Sequence, residues 1–407
     1  MKIKNLRFGP LGDGARALAR FNFHCGWSQK SYSLPTLCDV KRRERRAPGA
    51  RTPHFIRVFN LLLVFTASEI FLCGCTTARV GKMERRTGDE IVAAGQFFHT
   101  GTPVVLWLDP GGYDAYRVER RFGPIEKSDW KTSSEEVKSL KTPNRYSLRQ
   151  KSLTTNEIER VRGGGWDLPL LQSVVDQFVL HFDVCGVSRT CFLVLQDDRD
   201  LSVHFMLDVD GTVYQTLDLK ERAWHATTSN DRSIGVEIAN IGAYPAAGKN
   251  PFTQWYGTNV AGKTILTIPK RFGGGGIRSK DFIGRPARNE PVRGVIQGEE
   301  LVQYDFTPEQ YAALTKLTAT LCKVFPKLKC DYPKDAAGKL IPHQLPDAEL
   351  DAYQGVLGHY HVQKNKTDPG PALDWEKVVG GAQKILGEHP SQKFERLQTP
   401  RMNNRGW

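Results

Sequence analysis

No two of the eight cysteines stand in a C-x-x-C spacing, which leaves cysteine-based zinc modules and thioredoxin-like redox motifs unsupported. Long apolar runs are scarce too: Val58–Ala67 has the length of a signal-peptide core and is too short to span a bilayer comfortably. No internal repeat is visible. Compositional bias is absent as well. With 40% hydrophobic and 25% charged residues, 38 glycines and 23 prolines in 407 residues, collagen-like, coiled-coil and wholly disordered chains are excluded. The length suffices for two or three domains and a core that needs no disulfides.

What the chain has in excess is positive charge, +13, but not in the part that can fold. Residues 1–52 hold +9, peaking at Lys41-Arg42-Arg43-Glu44-Arg45-Arg46, and residues 391–407 hold +3. Only +1 remains for residues 53–390, so the folding part offers no electrostatic basis for nucleic-acid binding.

Residues 54–80 carry Arg57, then the apolar stretch Val58–Ala67, then Leu72-Cys73-Gly74-Cys75. The last four resemble a bacterial lipobox, which implies cleavage before Cys75 and lipidation of that residue. The expected chain is therefore exported, periplasmic and anchored through Cys75, with 1–52 a basic disordered extension and 53–75 the signal segment. The alternative is a buried hydrophobic segment. Translation starting near Val58 would make the first 52 residues absent from the protein. The four remaining cysteines fall in close pairs, Cys185/Cys191 and Cys322/Cys330, which either close short loops in an oxidising compartment or stay as reduced, buried thiols.

Further on, Glu90–Leu108 contains strand-like runs with a turn at Thr100–Pro103, and Lys127–Thr155 is polar and reads as a linker or a loosely held surface segment. Val174–Phe182 and Ser233–Asn240 read as buried strands, and Leu201–Leu207 with Thr212–Leu217 predict a hairpin across Asp208–Gly211. Residues 245–299 are rich in glycine and proline and read as a long insertion. Thr307-Pro308-Glu309-Gln310 gives an N-cap, a proline at the first helical position and a glutamine three residues after the cap, so a helix is expected to about Phe325.

Five pieces in order, VLHFD with His181, SVHFMLDVDGTVYQ, RAWHA with His225, RSIGVEIAN with Glu237, and GHYHVQKNKTDPGPALDW with His359 and Asp368, resemble the zinc-dependent N-acetylmuramoyl-L-alanine amidases. Those enzymes share their fold with amidase-type phage lysozymes and peptidoglycan-recognition proteins. The resemblance implies an α/β domain over 171–386, a central mixed β-sheet flanked by helices, with insertion 245–299. An extra N-terminal β-rich segment over 83–170 precedes it, either a sheet packed on the catalytic domain or a wall-targeting module. A basic disordered tail, 387–407, follows.

Zinc takes N, S or O ligands in a tetrahedron and, in catalytic sites, keeps one position open. His359 and Asp368, nine residues apart across a Lys-Thr-Asp-Pro-Gly turn, can supply two ligands from one unit, and the resemblance adds His181 as the third. It makes Glu237 the acid/base and Lys366 the oxyanion stabiliser. Some relatives place a tyrosine where this chain has Val203, which leaves the proton work to Glu237. The other reading of Glu237 is a buried carboxylate paired to Arg232.

His225 and Trp224 are expected to line the substrate cleft, with Asn230 and Arg232 at its border, contacting the stem peptide or fixing the loop. His204 is expected to pack in the sheet; His361 stands where many relatives have Asp. The implied partner is peptidoglycan or its muropeptides, with membrane contact only through the lipid anchor, and the chain is read as a monomer. Two alternatives stay open: a non-catalytic peptidoglycan-binding protein, and a cytosolic recycling amidase acting on soluble anhydro-muropeptides.

Overall fold

Strands buried at nearly every position, rather than at alternate ones, belong in the middle of a sheet covered on both faces, and two such strands, Gln177–Phe182 and Ser233–Ile238, position the site here. The computed structural model describes residues 80–116 and 146–387; the basic extension, the signal segment with Cys75, and nearly all of the tail lie outside the described residues.

A hairpin, β1 (Glu90–Ala93) and β2 (Gln96–His99), leads to β3 (Val104–Leu106). After β4 (Tyr146–Ser147), helix α1 (Thr155–Gly164) opens on a capping box between Thr154 and Glu157, and α2 (Leu168–Val174) is capped by Asp167. Next come β5 (Gln177–Phe182) and α3 (Ser188–Leu193), which runs into a π-helical turn at Val194–Asp198. β6 (Phe205–Leu207), β7 (Val213–Gln215), β8 (Arg222–Ala223) and β9 (Ser233–Ile238) follow.

The insertion is not a bare loop. It holds β10 (Tyr244–Pro245), the single turn α4 (Phe252–Trp255), β11 (Tyr256–Thr258), β12 (Thr264–Leu266) and β13 (Val292–Ile296), which pairs with β14 (Glu299–Gln303). Its apolar centre, with Phe252 and Trp255, packs on Val187 and Ile241. Gly186 permits this: it has φ +76°, and a Cβ there would come within 2.5 Å of the Trp255 ring.

The expected capping box is present at Thr307 and Gln310, and α5 (Pro308–Val324) grows from it. Its buried residues Leu314, Leu317 and Leu321 join the main core with Phe178, Leu180, Val236 and Val378. The chain closes through α6 (Asp347–Ala352), β15 (Gly355–Gly358), α7 (His359–Val362), a π-helical turn at Glu376–Gly380 and α8 (Gly381–Ile385). Among the described residues no helix is long and apolar enough to cross a membrane.

The central sheet has six strands in the order β15-β5-β9-β6-β7-β3, and every neighbouring pair is parallel except β6 with β7. Helices and loops cover both faces, which makes the fold mixed α/β. Register sets the site: His181 lies opposite Glu237 on β9, and Gly358 lies opposite Leu180, so that His359 emerges just past the end of β15. β3 forms one edge of this sheet, so at least this part of segment 83–170 is built into the catalytic fold.

Candidate metal centre

Parallel strands that end together leave a crevice at their carboxyl ends, the usual place for a ligand in an open α/β sheet. Here β15, β5 and β9 deliver His359, His181 and Glu237 to that edge. The loop after α7 returns Asp368 to the same point, where its carbonyl accepts a hydrogen bond from Tyr360 N–H at 3.1 Å.

His181 Nδ1, His359 Nδ1 and one carboxylate oxygen of Asp368 converge. The nitrogens are 3.0 Å apart, and Asp368 Oδ2 is 2.8 Å from the first and 2.9 Å from the second. All three residues are buried. Three lone-pair atoms facing one another suit a cation, provided each histidine keeps its proton on the outer nitrogen. The surroundings enforce that arrangement. His359 Nε2–H donates to Gln363 Oε1 at 2.7 Å. His181 Nε2 lies 3.0 Å from His225 Nδ1, and His225 Nε2 lies 3.2 Å from Ser233 Oγ. A proton on Nε2 of each ring satisfies the whole chain of contacts and leaves both Nδ1 atoms facing inward.

Electrostatics agree with this donor set. Burial pushes the Asp368 carboxyl upward, but the neighbouring His359, and after it His181, outweigh burial and hold the group far below the carboxylate range. Burial, followed by the neighbouring His359, pushes His181 down to about 4. One carboxylate oxygen with two imidazole nitrogens is a ligand set that zinc accepts. The other His/Asp/Glu group with suitable spacing among the described residues, Asp89, Glu90 and His99, is taken up by a local turn. There Glu90 accepts the Thr87 and Gly88 N–H groups, and Asp89 meets Thr87 and His99.

Glu237 stands beside this centre. Burial, then the negative charges of Asp368 and Asp183, push its carboxyl well above the usual range, opposed by Lys366 and Arg199. A carboxyl held high is suited to take up and return a proton near neutral pH. The pairing with Arg232 that would have made Glu237 structural does not occur. Arg232 instead forks onto Asp176, with Nε at 2.6 Å from Oδ1, and donates to the carbonyls of Asp351 and Tyr353. Asp176, Arg232 and Tyr353 precede β5, β9 and β15, so Arg232 lies at the opposite end of the strands from His181. Held by a carboxylate and two carbonyls, its guanidinium ties the chain before β15 to the start of β5.

Asn230 fixes the loop, its Oδ1 accepting the N–H groups of His225 and Ala226 at 3.0 and 2.6 Å. The ring of His225 lies over Gly235, where a Cβ would come within 2.5 Å of it, and both its nitrogens are used by protein partners. Trp224 is half-buried, with the Arg222 guanidinium 4.6 Å above its ring. Lys366 is half-buried, near enough for its charge to act on both His181 and Glu237.

His204 packs in the sheet, accepting Gly235 N–H at Nδ1. His361 turns away from the centre, with Nδ1 accepting Gly358 N–H and Nε2 2.7 Å from the Ile341 carbonyl. Neither cysteine pair is bridged by a disulfide. Gln363, Ser233 and Arg199 escaped the sequence reading, since a loop amide, a strand hydroxyl and an exposed arginine carry no spacing signal.

Residues 172–371 match the family model described as N-acetylmuramoyl-L-alanine amidase. This part of the chain belongs to that family, and the enzyme class is that of the peptidoglycan amidases, hydrolases of an amide bond. No curated protein matches the chain. Among solved structures it is similar to a selenomethionine derivative of AmpD, at 17% identity and a TM-score of 0.25 over 52% of this chain and 86% of that one. It is similar to the N-acetylmuramyl-L-alanine amidase AmiD from E. coli, in complex with anhydro-N-acetylmuramic acid-L-Ala-D-gamma-Glu-L-Lys, at 17% identity and a TM-score of 0.29 over 51% and 57%. It is also similar to the endolysin amidase LysCS from Clostridium intestinale, at 13% identity and a TM-score of 0.27 over 54% and 88%.

Proposed function

We propose that the chain is a zinc-dependent amidase that cuts the bond between the lactyl group of N-acetylmuramic acid and L-alanine in peptidoglycan, acting outside the cytoplasm from a lipid anchor at Cys75. The export and anchoring rest on the sequence of residues 54–75. The activity rests on the meeting of His181 Nδ1, His359 Nδ1 and Asp368 Oδ2 within 3.0 Å of one another, with Glu237 on the adjoining strand.

Zinc bound there supplies Lewis acidity toward the scissile carbonyl and activation of water. Glu237, whose carboxyl burial and the nearby Asp368 push upward, receives the proton of the attacking water and returns it to the departing L-alanine amine. The Lys366 ammonium, beside Glu237, balances the negative charge that grows on the carbonyl oxygen. Asp368 stays ionised throughout, because the two imidazoles hold its carboxyl low.

The test uses purified peptidoglycan and the chelator-treated protein. Peptide release should stop with chelator and return with zinc. Glu237→Gln should keep stoichiometric zinc and lose turnover by about 10²–10⁴-fold, whereas Asp368→Ala should lose zinc by elemental analysis. Activity that survives complete metal removal defeats the reading.

A further inference from the structure

The insertion and the strand after it hold the loop that carries two of the three candidate ligands. β13 and β14 form a hairpin whose turn is Gln297-Gly298, with Ile296 paired to Glu299 and both turn residues at positive φ, +54° and +80°. Two-residue turns of this kind favour Asn-Gly, because an ordinary side chain at the first position sits in a left-handed conformation it rarely adopts. A glutamine kept there against its backbone preference is a reason to look at what its side chain does.

It reaches across to the ligand loop. Gln297 Nε2 donates to the Tyr360 carbonyl at 2.8 Å and to the Gln363 carbonyl at 3.1 Å. Its Oε1 accepts Gln344 N–H at 3.2 Å, and its own N–H donates to the Pro342 carbonyl at 2.9 Å. The Gln363 carbonyl also accepts Lys366 N–H at 3.1 Å, and the Gln363 side chain accepts His359 Nε2–H at 2.7 Å. One residue, Gln363, thus links the hairpin tip to a candidate ligand through its side chain and to the lysine beside it through its carbonyl.

The base of the hairpin grips the far end of the same loop. Gln303 Nε2 donates to the Pro369 carbonyl at 3.1 Å, and its Oε1 accepts Ala372 N–H at 3.0 Å. Between tip and base, Gly294 lies so close to Pro371 that a Cβ would come within 2.7 Å of the proline Cβ. The segment from His359 to Ala372 is therefore clamped from outside the central sheet, on the side where the insertion packs.

We infer that Gln297 is a positioning residue for the metal centre: it fixes the Tyr360 and Gln363 carbonyls, and through Gln363 the orientation of His359. The inference rests on the proposed zinc site and adds a function for the insertion. Outer partners that orient a metal-binding histidine typically change metal affinity by about 10–100-fold.

The experiment measures the zinc dissociation constant of the full chain by competition with a chromophoric chelator, alongside thermal unfolding in excess chelator. Gln297→Gly suits the turn's backbone and removes the whole side chain, the amide included. Gln297→Glu keeps the size and loses the donor. Both should weaken zinc binding about tenfold, while Gln297→Gly unfolds in chelator no earlier than the unmodified protein. Zinc affinities within twofold of the unmodified protein for both variants would overturn the inference. His359→Ala separates the two readings. If it abolishes zinc binding while the Gln297 variants do not matter, only the role of Gln297 falls; if it leaves zinc binding intact, the site itself falls and the inference with it.

Discussion

A histidine that offers Nδ1 to a cation must carry its proton on Nε2, and a partner must hold that proton in place. For His181 the partner is His225, and for His225 it is Ser233. Burial, then the nearby His181, keep His225 well below the usual histidine range, so the relay stays neutral at working pH. His225→Ala is expected to leave His181 Nε2–H facing empty space above Gly235 and to lower zinc affinity about tenfold, with Ser233→Ala weaker in effect. A competition titration checks this, and unchanged affinity in His225→Ala would remove the relay from the site. His181, Glu237, His359 and Asp368 were legible because residue type and order together form motifs. The supporting Ser233 and Gln363 were not, because a hydroxyl or an amide gains its meaning only from what the fold sets beside it.

Among the elements, those with a strong local signal stand where the sequence put them. The capping box at Thr307 starts α5, and the apolar runs ending at Phe182 and Asn240 became β5 and β9. The polar stretch before residue 155 reads as a linker or a loosely held surface segment, yet it contains Arg149, whose side chain is entirely buried. Its guanidinium donates to the carbonyls of Leu219, Asn230, Asp231 and Ser233 at 3.0–3.3 Å. Burial pulls it down to about 10, which still leaves it charged at neutral pH. No periodicity could reveal this, since the carbonyls it gathers come from loops that are distant in sequence. Arg149→Met should strand several buried carbonyls and cost about 3 kcal/mol or more, read as a lower denaturant midpoint; a loss below about 0.5 kcal/mol would mean that water replaces the guanidinium.

For the molecule as a whole, buried titratable groups set opposing pH trends. Burial pushes His204 and His361 down to about 3. A depressed histidine favours the folded state at neutral pH and loses that contribution as pH falls from about 6.5 toward 3. Burial pushes Asp183 and Asp208 up to about 7. A raised carboxyl contributes stability that is full below about pH 4 and is lost as pH rises to about 7. Asp208 Oδ1 accepts N–H groups from Ser188 and Val209, which an asparagine oxygen can also do. Asp208→Asn should therefore gain on the unmodified protein between pH 5 and pH 7 and hold that gain above pH 7. Thermal unfolding across this range checks it, and a difference independent of pH would contradict the burial of a titrating carboxyl.

At the same scale, the amidase region was readable from motif order, whereas the roles of the insertion and of the segment before the domain depended on contacts between distant parts of the chain. β3 is the clearest case. It pairs with β7 through residues that lie well before the family match begins at residue 172, so the family boundary cuts through the sheet. A fragment confined to 172–371 would leave β7 with a row of unpaired N–H and C=O groups. Such an edge is a template for other strands, and in such a fragment the first casualty would be solubility.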